Sequence, residues 1–405
     1  GLHGPEGVAV TIATGDGDAA ADDDGSCEAR VHGTSAWPYQ PLHANLWLSE
    51  EAWRVDKAVR LYDNRGKPKE GEANKRRAPW VPQPPLKRVK RVASIVGFAS
   101  SEFFHFVLEA LPRLAMLLPH LEADPTLALA VPLTTKQLYS DPPNGFAAQL
   151  LRIILPDEYY TSGRLIAYKD RKILPGERVT VTQELLIAEW PSVNSGDGKP
   201  THCLTPRVAL VEARDMLNAA VERRRGAKEE EAEAEEPKST ERNLLVYAAR
   251  RDVSMRNLDK EDDADLVEAL QAIAKEHGLE FWRFEAEKDA NVGGVRHAID
   301  VFKRAAIVVG VHGGALSNIL FCQTDTLVVE LGMKSPLLRH FEHAAVALGM
   351  YYSRVLLEDD EHGVGARTVK LPSDGVEQAE GVVFKYLDQM CESRGMYCQR
   401  AKDEL

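Results

Sequence analysis

The sequence predicts an α/β protein made of two Rossmann-like domains that face a cleft between them. In the second half of the 405-residue chain, short apolar strands alternate with helices, which is typical of a parallel sheet covered by helices. The first half shows the same alternation less regularly. A run of Arg, Lys and Glu at 223–237 separates the halves, as expected of a linker or a frayed helix end.

The elements follow from apolar periodicity and from Gly, Pro and Asn at their ends. In the first half we predict strands at 93–98 and 127–131 and helices at 103–118 and 144–155, then extended segments up to residue 190. In the second half we predict strands at 243–248, 279–284, 305–311 and 326–331 and helices at 263–277, 291–303, 315–321 and 378–393.

These elements define five parts of the chain. They are a disordered acidic tail at 1–30, an N-terminal Rossmann-like domain at 31–225, a charged linker at 226–242, a C-terminal Rossmann-like domain at 243–375, and a terminal helix with its tail at 376–405.

Charge and hydropathy exclude several classes of protein. The formal charge is −12, with 62 acidic against 50 basic residues, which makes nucleic acid an improbable main partner. No apolar run reaches the roughly 18 residues that a membrane span needs. The most apolar stretch, 305–321, contains His312 and three glycines, so we predict a buried strand that leads into a helix.

The C-terminal residues indicate the compartment. Residues Lys402 to Leu405 read Lys-Asp-Glu-Leu, the signal that returns proteins to the endoplasmic reticulum. We therefore expect a protein of the endoplasmic reticulum lumen that is bound by the KDEL receptor. The sequence starts at Gly1 instead of Met, so we expect an upstream segment, and the sequence leaves open whether it contains a signal peptide or an anchor.

Five cysteines fit an oxidising compartment without forming a dense disulfide framework. Cys391 and Cys398 are close in sequence and are expected to pair. Cys322 follows an apolar run and is expected to be a buried thiol. Because the number is odd, at least one cysteine is left unpaired.

The helix predicted at 103–118 carries a polar stripe in an otherwise apolar sequence. His105, Glu109 and Arg113 are spaced at i, i+4 and i+8, which places them on one face. Pro112 removes a backbone donor and frees the carbonyl of Leu108. The stripe is either an ordinary Glu109–Arg113 ion pair or part of a site.

A second motif runs from His312 to Asn318, where a buried strand turns into a helix. Gly313, Gly314 and Ala315 permit close approach of a ligand to the backbone. The free N–H groups at such a helix start suit a diphosphate. A tight turn alone would explain the glycines but not His312. A dinucleotide-binding Gly-x-Gly-x-x-Gly motif does not occur in the sequence, which disfavours a dehydrogenase.

Two further strand ends carry charged side chains. Arg250 and Arg256 follow the strand at 243–248 and are suited to bind phosphate, although loop arginines are often only solvated. Glu330 lies near the end of the strand at 326–331. It could accept hydrogen bonds from ribose hydroxyls or cap a helix.

These motifs, in this order, resemble glycosyltransferase family 61. The family includes the EGF-domain O-linked GlcNAc transferase, the protein O-mannose β-1,4-GlcNAc transferase and the plant β-1,2-xylosyltransferase. The resemblance rests on His105 to Leu114, Arg250 to Arg256, His312 to Phe321 and Thr326 to Leu331. Two positions depart from the family pattern: Gly314-Ala315 has the reverse of the usual order, and Asp259 stands where an Asn is expected.

The resemblance implies a GT-B architecture and inverting transfer from a UDP-sugar, without a catalytic metal or another cofactor. The donor sugar would be GlcNAc or xylose, and the acceptor a hydroxyl of a glycoprotein or glycan. The residues expected to bind the UDP-sugar are Arg250, Arg256, His312, Gly313, Gly314, Ala315, Asn318 and Glu330.

An inverting transfer needs a base on the acceptor side of the cleft. The polar stripe of the first half supplies two candidates. We expect Glu109 to be the base, His105 to be the second candidate, and Arg113 to support Glu109.

Two other classes of protein are alternatives to a UDP-sugar-dependent glycosyltransferase. One is a non-catalytic, sugar- or nucleotide-binding protein resident in the endoplasmic reticulum on the same scaffold. It would be signalled by loss of the carboxylate and arginine groups, and both are present. The other is a cytosolic type of nucleotide-binding α/β enzyme, which the C-terminal signal argues against.

Overall fold

The chain divides into two compact units, Gly1–Arg224 and Arg225–Leu405. The computed structural model describes residues 2–3, 9–14, 46–47, 87–96, 100, 102–167, 179–189, 193–194, 200–202, 204–229, 242–250, 255–333, 339–358 and 367–398. Each unit contains parallel strands and helices, so the predicted mixed α/β class is confirmed.

The first unit is built on a mixed sheet. Its described strands are β1 (Leu2–His3), β2 (Ala9–Thr14), β3 (Leu46–Trp47), β4 (Lys87–Ser94), β5 (Ala128–Val131), β6 (Leu165–Ala167), β7 (Val179–Glu189), β8 (Val193–Asn194) and β9 (Pro200–His202). Within the described residues the main sheet has the order β1-β2-β7-β4-β5-β6, with β3 also paired to β7. Strands β7, β4, β5 and β6 run parallel, whereas β1 and β2 are antiparallel additions.

The helices of this unit include a segment interrupted by a π-helical turn. They are α1 (Phe103–His105), a π-helix (Phe106–Ala110), α2 (Leu111–Ala123), α3 (Thr135–Tyr139), α4 (Phe146–Ile154), α5 (Glu158–Thr161) and α6 (Arg207–Glu229), which continues past Arg224 into the second unit. In α4 the half-buried residues recur at every third position, at Phe146, Gln149 and Arg152, and the residues between them are buried, which is the pattern of a helix that packs most of its surface on a core.

Two sequence predictions differ from the structure in this unit. Strand β4 begins at Lys87 instead of residue 93 and ends at Ser94. The positive charge of Arg91 is matched there by Asp124 and Glu184, which allows a basic segment to join the sheet. In the tail predicted to be disordered, Ala9–Thr14 pairs with β7, with Ile12 opposite Leu186. That prediction is wrong for this segment, because its apolar residues find a strand partner far along the chain.

The second unit is a doubly wound α/β unit. Its described strands are β10 (Leu244–Ala248), β11 (Asn257–Leu258), β12 (Glu280–Phe284), β13 (Ala305–Val311), β14 (Leu327–Gly332), β15 (Tyr351–Leu356) and β16 (Thr368–Val369). The helices are α7 (Lys260–Glu276), α8 (Ala286–Lys303), a 3₁₀ helix (Gly314–Phe321), α9 (His340–Ala347) and α10 (Gly375–Arg394).

The central sheet of this unit is fully parallel across the described strands, in the order β12-β10-β13-β14-β15. When only the five strands of this sheet are numbered along the chain, this is the order 2-1-3-4-5 of flavodoxin-like sheets. The order reverses between β10 and β13. Ligands of such sheets bind outside the carboxyl ends of the strands at this reversal, so the topology itself marks the loops after Ala248 and Val311.

Most elements predicted for the second half are present with bounds within a few residues, and β13 has the predicted bounds. The helix predicted at 315–321 is a 3₁₀ helix, a tighter form that short apolar segments can adopt. Residues 226–229 of the predicted linker belong to α6.

The cysteine predictions that fall in the described residues are confirmed. Cys391 and Cys398 form a disulfide, and Cys322 is a buried thiol. Cys27, Cys203 and the C-terminal signal at 402–405 lie outside the described residues. Within the described part of the chain, no helix combines the length and the apolar character that crossing a membrane requires.

A buried polar triad ties β10, α7 and β12 together. The Tyr247 hydroxyl donates to Asp263 at 2.8 Å, and Arg283 donates to the other oxygen of that carboxylate at 2.7 Å. We expect Asp263→Ala to lower the free energy of unfolding by about 2–4 kcal/mol, because it removes a charged acceptor from two buried or half-buried donors. Urea denaturation measures this loss. Asp265→Ala, which changes an exposed residue of the same helix, is the control, and an equal loss in both variants would contradict the prediction.

Candidate active site

The polar stripe of the first unit lies in and beside the π-helix. The N–H of Leu111 bonds to the carbonyl of Phe106, five residues back. Pro112 has no N–H for the carbonyl of Leu108, and the Thr205 hydroxyl donates to that carbonyl at 2.5 Å instead. The freed backbone acceptor predicted at Leu108 is therefore satisfied from a distant loop. Such π-helical turns occur frequently at functional sites.

His105 and Glu109 are brought together by this turn. The Nδ1 atom of His105 lies 3.1 Å from Oε2 of Glu109. Glu109 is only 7% exposed, and Arg113 is buried farther along the same helical segment. A buried carboxylate beside an imidazole has the chemistry of a general base with an orienting partner.

In the second unit, Arg250 and Gly313 meet at the reversal of strand order. Arg250 follows β10, and its Nε donates to the carbonyl of Met255 at 2.9 Å. The guanidinium packs so closely on Gly313 that a Cβ added there would overlap it. Gly313 is therefore required for this close approach and not for an unusual backbone angle, since its φ of 166° is extended.

Arg250 and Arg256 form a pair of like charges at the same place. Burial, followed by the charge of Arg256, lowers the pKa of Arg250 to about 10. Burial also lowers the pKa of Arg256. Among the described residues no carboxylate compensates either guanidinium, and the buried Nε of Arg256 has no hydrogen-bond partner. Two half-buried cations of this kind favour an anion as their ligand.

The backbone of Arg256 is held in an unusual conformation. Its φ is 59°, in the left-handed region that non-glycine residues adopt rarely. Such conformations cost roughly 1–3 kcal/mol and are concentrated at ligand-binding sites. The fold thus keeps this arginine in place against a local cost.

The start of the 3₁₀ helix leaves room beside the backbone. A Cβ added to Gly314 would meet no atom of the described residues within 4 Å, so the protein itself does not need a glycine there. Asn318 is buried and donates from Nδ2 to the carbonyl of Ala315 at 2.8 Å. These residues line the start of the helix as predicted, but Asn318 stabilises the turn and is closed off from solvent.

Glu330 differs from its predicted role. Its exposed fraction is 0%, so it has no surface with which to contact a ribose. Its carboxylate instead accepts from His312 Nδ1 at 2.5 Å, from Arg354 at 3.0 Å and from the Tyr352 hydroxyl. Burial alone would raise the pKa of Glu330, but the interactions with His312, Tyr352 and Arg354 lower it below its usual value.

Tyr352 and Arg354 were missed by the sequence analysis because β15 was not predicted. A signal was present, since Tyr352 and Arg354 are two residues apart and so share one face of a strand. Interaction with Glu330, against the effect of burial, raises the pKa of Arg354. Asp259, the departure from the family pattern, accepts from the N–H of Glu261 at 3.1 Å as the N-cap of α7.

Among the residues that the structure describes, no group of three or more His, Cys, Asp and Glu side chains could hold a metal ion. The polar residues instead form two groups, one in each unit. His105, Glu109 and Arg113 lie on one helical segment of the first unit. In the second, Arg250 packs on Gly313 within range of the charge of Arg256, and the neighbouring His312 bonds to Glu330.

Comparison with known proteins identifies the family. No curated protein matches the sequence at a significant level. The family model described as Glycosyltransferase 61 matches residues 103–329, which is more than half of the chain. The matched region starts at α1, which contains His105 of the His105–Glu109 pair, and ends at the residue before Glu330. The chain therefore belongs to glycosyltransferase family 61 and is a glycosyltransferase by family.

Proposed function

We propose that the protein is an inverting glycosyltransferase that moves a sugar, GlcNAc or xylose, from a UDP-sugar to a hydroxyl of a glycoprotein or glycan. The observation that carries the proposal is the pair of Arg250 and Arg256 beside the Gly313 turn, for which the described residues provide no compensating carboxylate. This pair lies at the reversal of strand order, where sheets of this topology bind nucleotides.

The chemistry of the leaving group supports this use of the arginines. As the acceptor oxygen attacks the anomeric carbon, the bond from that carbon to UDP breaks and its electron pair leaves on a diphosphate oxygen. Negative charge therefore develops on the diphosphate, and fixed guanidinium groups stabilise it in the transition state. We propose that Arg250, Arg256 and the N–H groups at the start of the 3₁₀ helix bind UDP without a metal.

The acceptor hydroxyl loses its proton in the same reaction. We propose Glu109 as the base that takes it, with His105 orienting the carboxylate across 3.1 Å and Arg113 supporting it. A GT-B arrangement belongs to this proposal, because donor and acceptor would then be bound by different Rossmann-like units. His105 remains the second candidate for the base.

The compartment completes the proposal. The Lys-Asp-Glu-Leu ending at 402–405 supports residence in the endoplasmic reticulum lumen through the KDEL receptor. The disulfide between Cys391 and Cys398 fits an oxidising compartment.

A thermal-shift titration with UDP tests the donor site. A ligand that binds only the native state raises the melting temperature in proportion to the logarithm of its concentration. We expect UDP to raise it equally with and without EDTA, because arginines and backbone amides hold the diphosphate. Uridine, which lacks the diphosphate, is the control and should give a smaller shift. If folded protein shows no shift at millimolar UDP, the proposal fails.

A further inference from the structure

Polar side chains meet on one face of the central sheet of the second unit, near the carboxyl ends of three strands. In the register, Glu330 of β14 lies opposite Gly310 of β13 and opposite Arg354 of β15. His312 follows Gly310 at the next position on this face and precedes the Gly313 turn. Tyr352, two residues before Arg354, adds its hydroxyl. The group is enclosed within the unit, since Glu330 is fully buried and His312 is 7% exposed.

Both oxygens of Glu330 are occupied by donors of the protein. Oε1 lies 2.5 Å from Nδ1 of His312, while Oε2 accepts from Arg354 at 3.0 Å and from the Tyr352 hydroxyl. An ionised carboxylate has no proton to donate. The hydrogen between Glu330 and His312 therefore belongs to Nδ1 of the imidazole.

This bond fixes which ring nitrogen of His312 is left for a ligand. In a neutral imidazole one nitrogen carries the proton and the other accepts. With the proton on Nδ1, Nε2 is the acceptor. The ring of Phe341 packs edge-on against the imidazole with the centroids 5.1 Å apart, which limits its rotation. Within the described part of the chain, the hydrogen bond found for the His312 ring is the one at Nδ1.

We propose that Glu330 is a positioning residue that fixes His312 in the Nδ1–H tautomer, so that Nε2 accepts a hydrogen bond from a hydroxyl group of the sugar nucleotide. The inference rests on the proposed function for the identity of the ligand. A hydroxyl is the fitting partner because it can donate to Nε2, whereas an ionised diphosphate oxygen cannot.

Replacing Glu330 by Gln reverses the tautomer on this account. The amide has one accepting oxygen and one donating NH₂ group. The oxygen must face Arg354, which is always a donor, and the NH₂ group then faces His312. Nδ1 has to accept, and the proton moves to Nε2. An amide in place of the carboxylate that orients a catalytic histidine has this consequence in the Ser-His-Asp triad.

The tautomer is measured directly by ¹H–¹⁵N correlation spectra of protein labelled with ¹⁵N-histidine, in the absence of UDP and above the pH at which the ring is protonated. The signals of His312, one of 12 histidines, are assigned by their loss in His312→Gln. We expect a protonated Nδ1 in the wild type and a protonated Nε2 in Glu330→Gln. Glu342→Gln, which removes a neighbouring carboxylate that pairs with Arg339, should leave the wild-type tautomer.

Two outcomes would overturn the inference. One is a proton on Nε2 of His312 in the wild type. This result refutes the proposed tautomer even if Glu330→Gln does not fold. The other is a folded Glu330→Gln protein that keeps the proton on Nδ1. The spectra are recorded without UDP, so their result does not depend on the UDP titration. If UDP does not raise the melting temperature, the proposed function is refuted, but the positioning of His312 by Glu330 is not.

Discussion

Replacing Glu109 by Gln is expected to lower turnover by about 100-fold or more, the usual scale for loss of a general base. The amide keeps the size of the buried side chain and its place beside His105, but it cannot accept the proton of the attacking hydroxyl. The dissociation constant of UDP should stay within about twofold of the wild type, because the proposed UDP site lies in the other unit.

Turnover is measured as UDP release in the presence of acceptor, and UDP affinity by calorimetry. Glu122→Gln removes an exposed carboxylate of the same helical segment and should turn over at the parental rate. If Glu109→Gln also turns over at the parental rate, or fails to fold, then Glu109 is a structural partner and not the base. In that case His105 becomes the first candidate.

Replacing Arg250 by Ala is expected to weaken UDP binding by about 30-fold or more. Hydrogen bonds to a charged group contribute about 1.5–3 kcal/mol each, and Arg250 is proposed to contact the diphosphate directly. The fold should tolerate the change, since the variant relieves repulsion between Arg250 and Arg256. Calorimetric titration with UDP measures the loss.

A second variant tests whether UDP binding depends on the position of the Arg250 guanidinium as well as on its charge. Gly313→Ala keeps the guanidinium but displaces it, because the new Cβ would overlap it, and it should also weaken UDP binding. Arg394→Ala, which removes an exposed arginine paired with Asp325, is the matched control with unchanged affinity. Parental affinity in both site variants would show that this arginine does not bind the diphosphate.

The second unit was predictable from sequence because its strands are continuous apolar runs. Strand β13 is buried at every position, and its bounds are those of the apolar run at 305–311. Strands of a buried parallel sheet are continuous apolar runs in sequence because helices cover both faces of the sheet. The reversal of strand order could not be predicted in the same manner, since it depends on which strands pair and not on their composition.

The elements that were missed share a different cause. Strand β15 mixes tyrosine, serine and arginine with apolar residues, and its first four residues are all half-buried. Strand β2 lies in a segment that has few apolar residues around it, and its partner β7 is more than 160 residues away. Pairing over such a distance overrides local composition.

Glu330 shows where prediction of the site reached its limit. A carboxylate near the end of an apolar strand is compatible with a ligand contact or with an internal one. Glu330 makes internal contacts because Tyr352 and Arg354 donate hydrogen bonds to it. These two residues belong to β15, a strand that was not predicted from the sequence. The Arg250–Gly313 contact, by contrast, joins two residues that were both predicted at strand ends, and strand ends of a parallel sheet converge.

The proposed transferase activity is tested most directly with a panel of sugar nucleotides. UDP release by the full chain is measured with UDP-GlcNAc, UDP-xylose, UDP-glucose and UDP-galactose. GDP-mannose is the control donor that contains no UDP. The assay needs no identified acceptor, because water can replace the acceptor hydroxyl and hydrolyse the sugar nucleotide slowly. We expect UDP release from UDP-GlcNAc or UDP-xylose, and we expect it to be abolished by Arg250→Ala and insensitive to EDTA. Release from no UDP-sugar by folded protein that nevertheless binds UDP would contradict this expectation and would favour a nucleotide-binding protein without transferase activity.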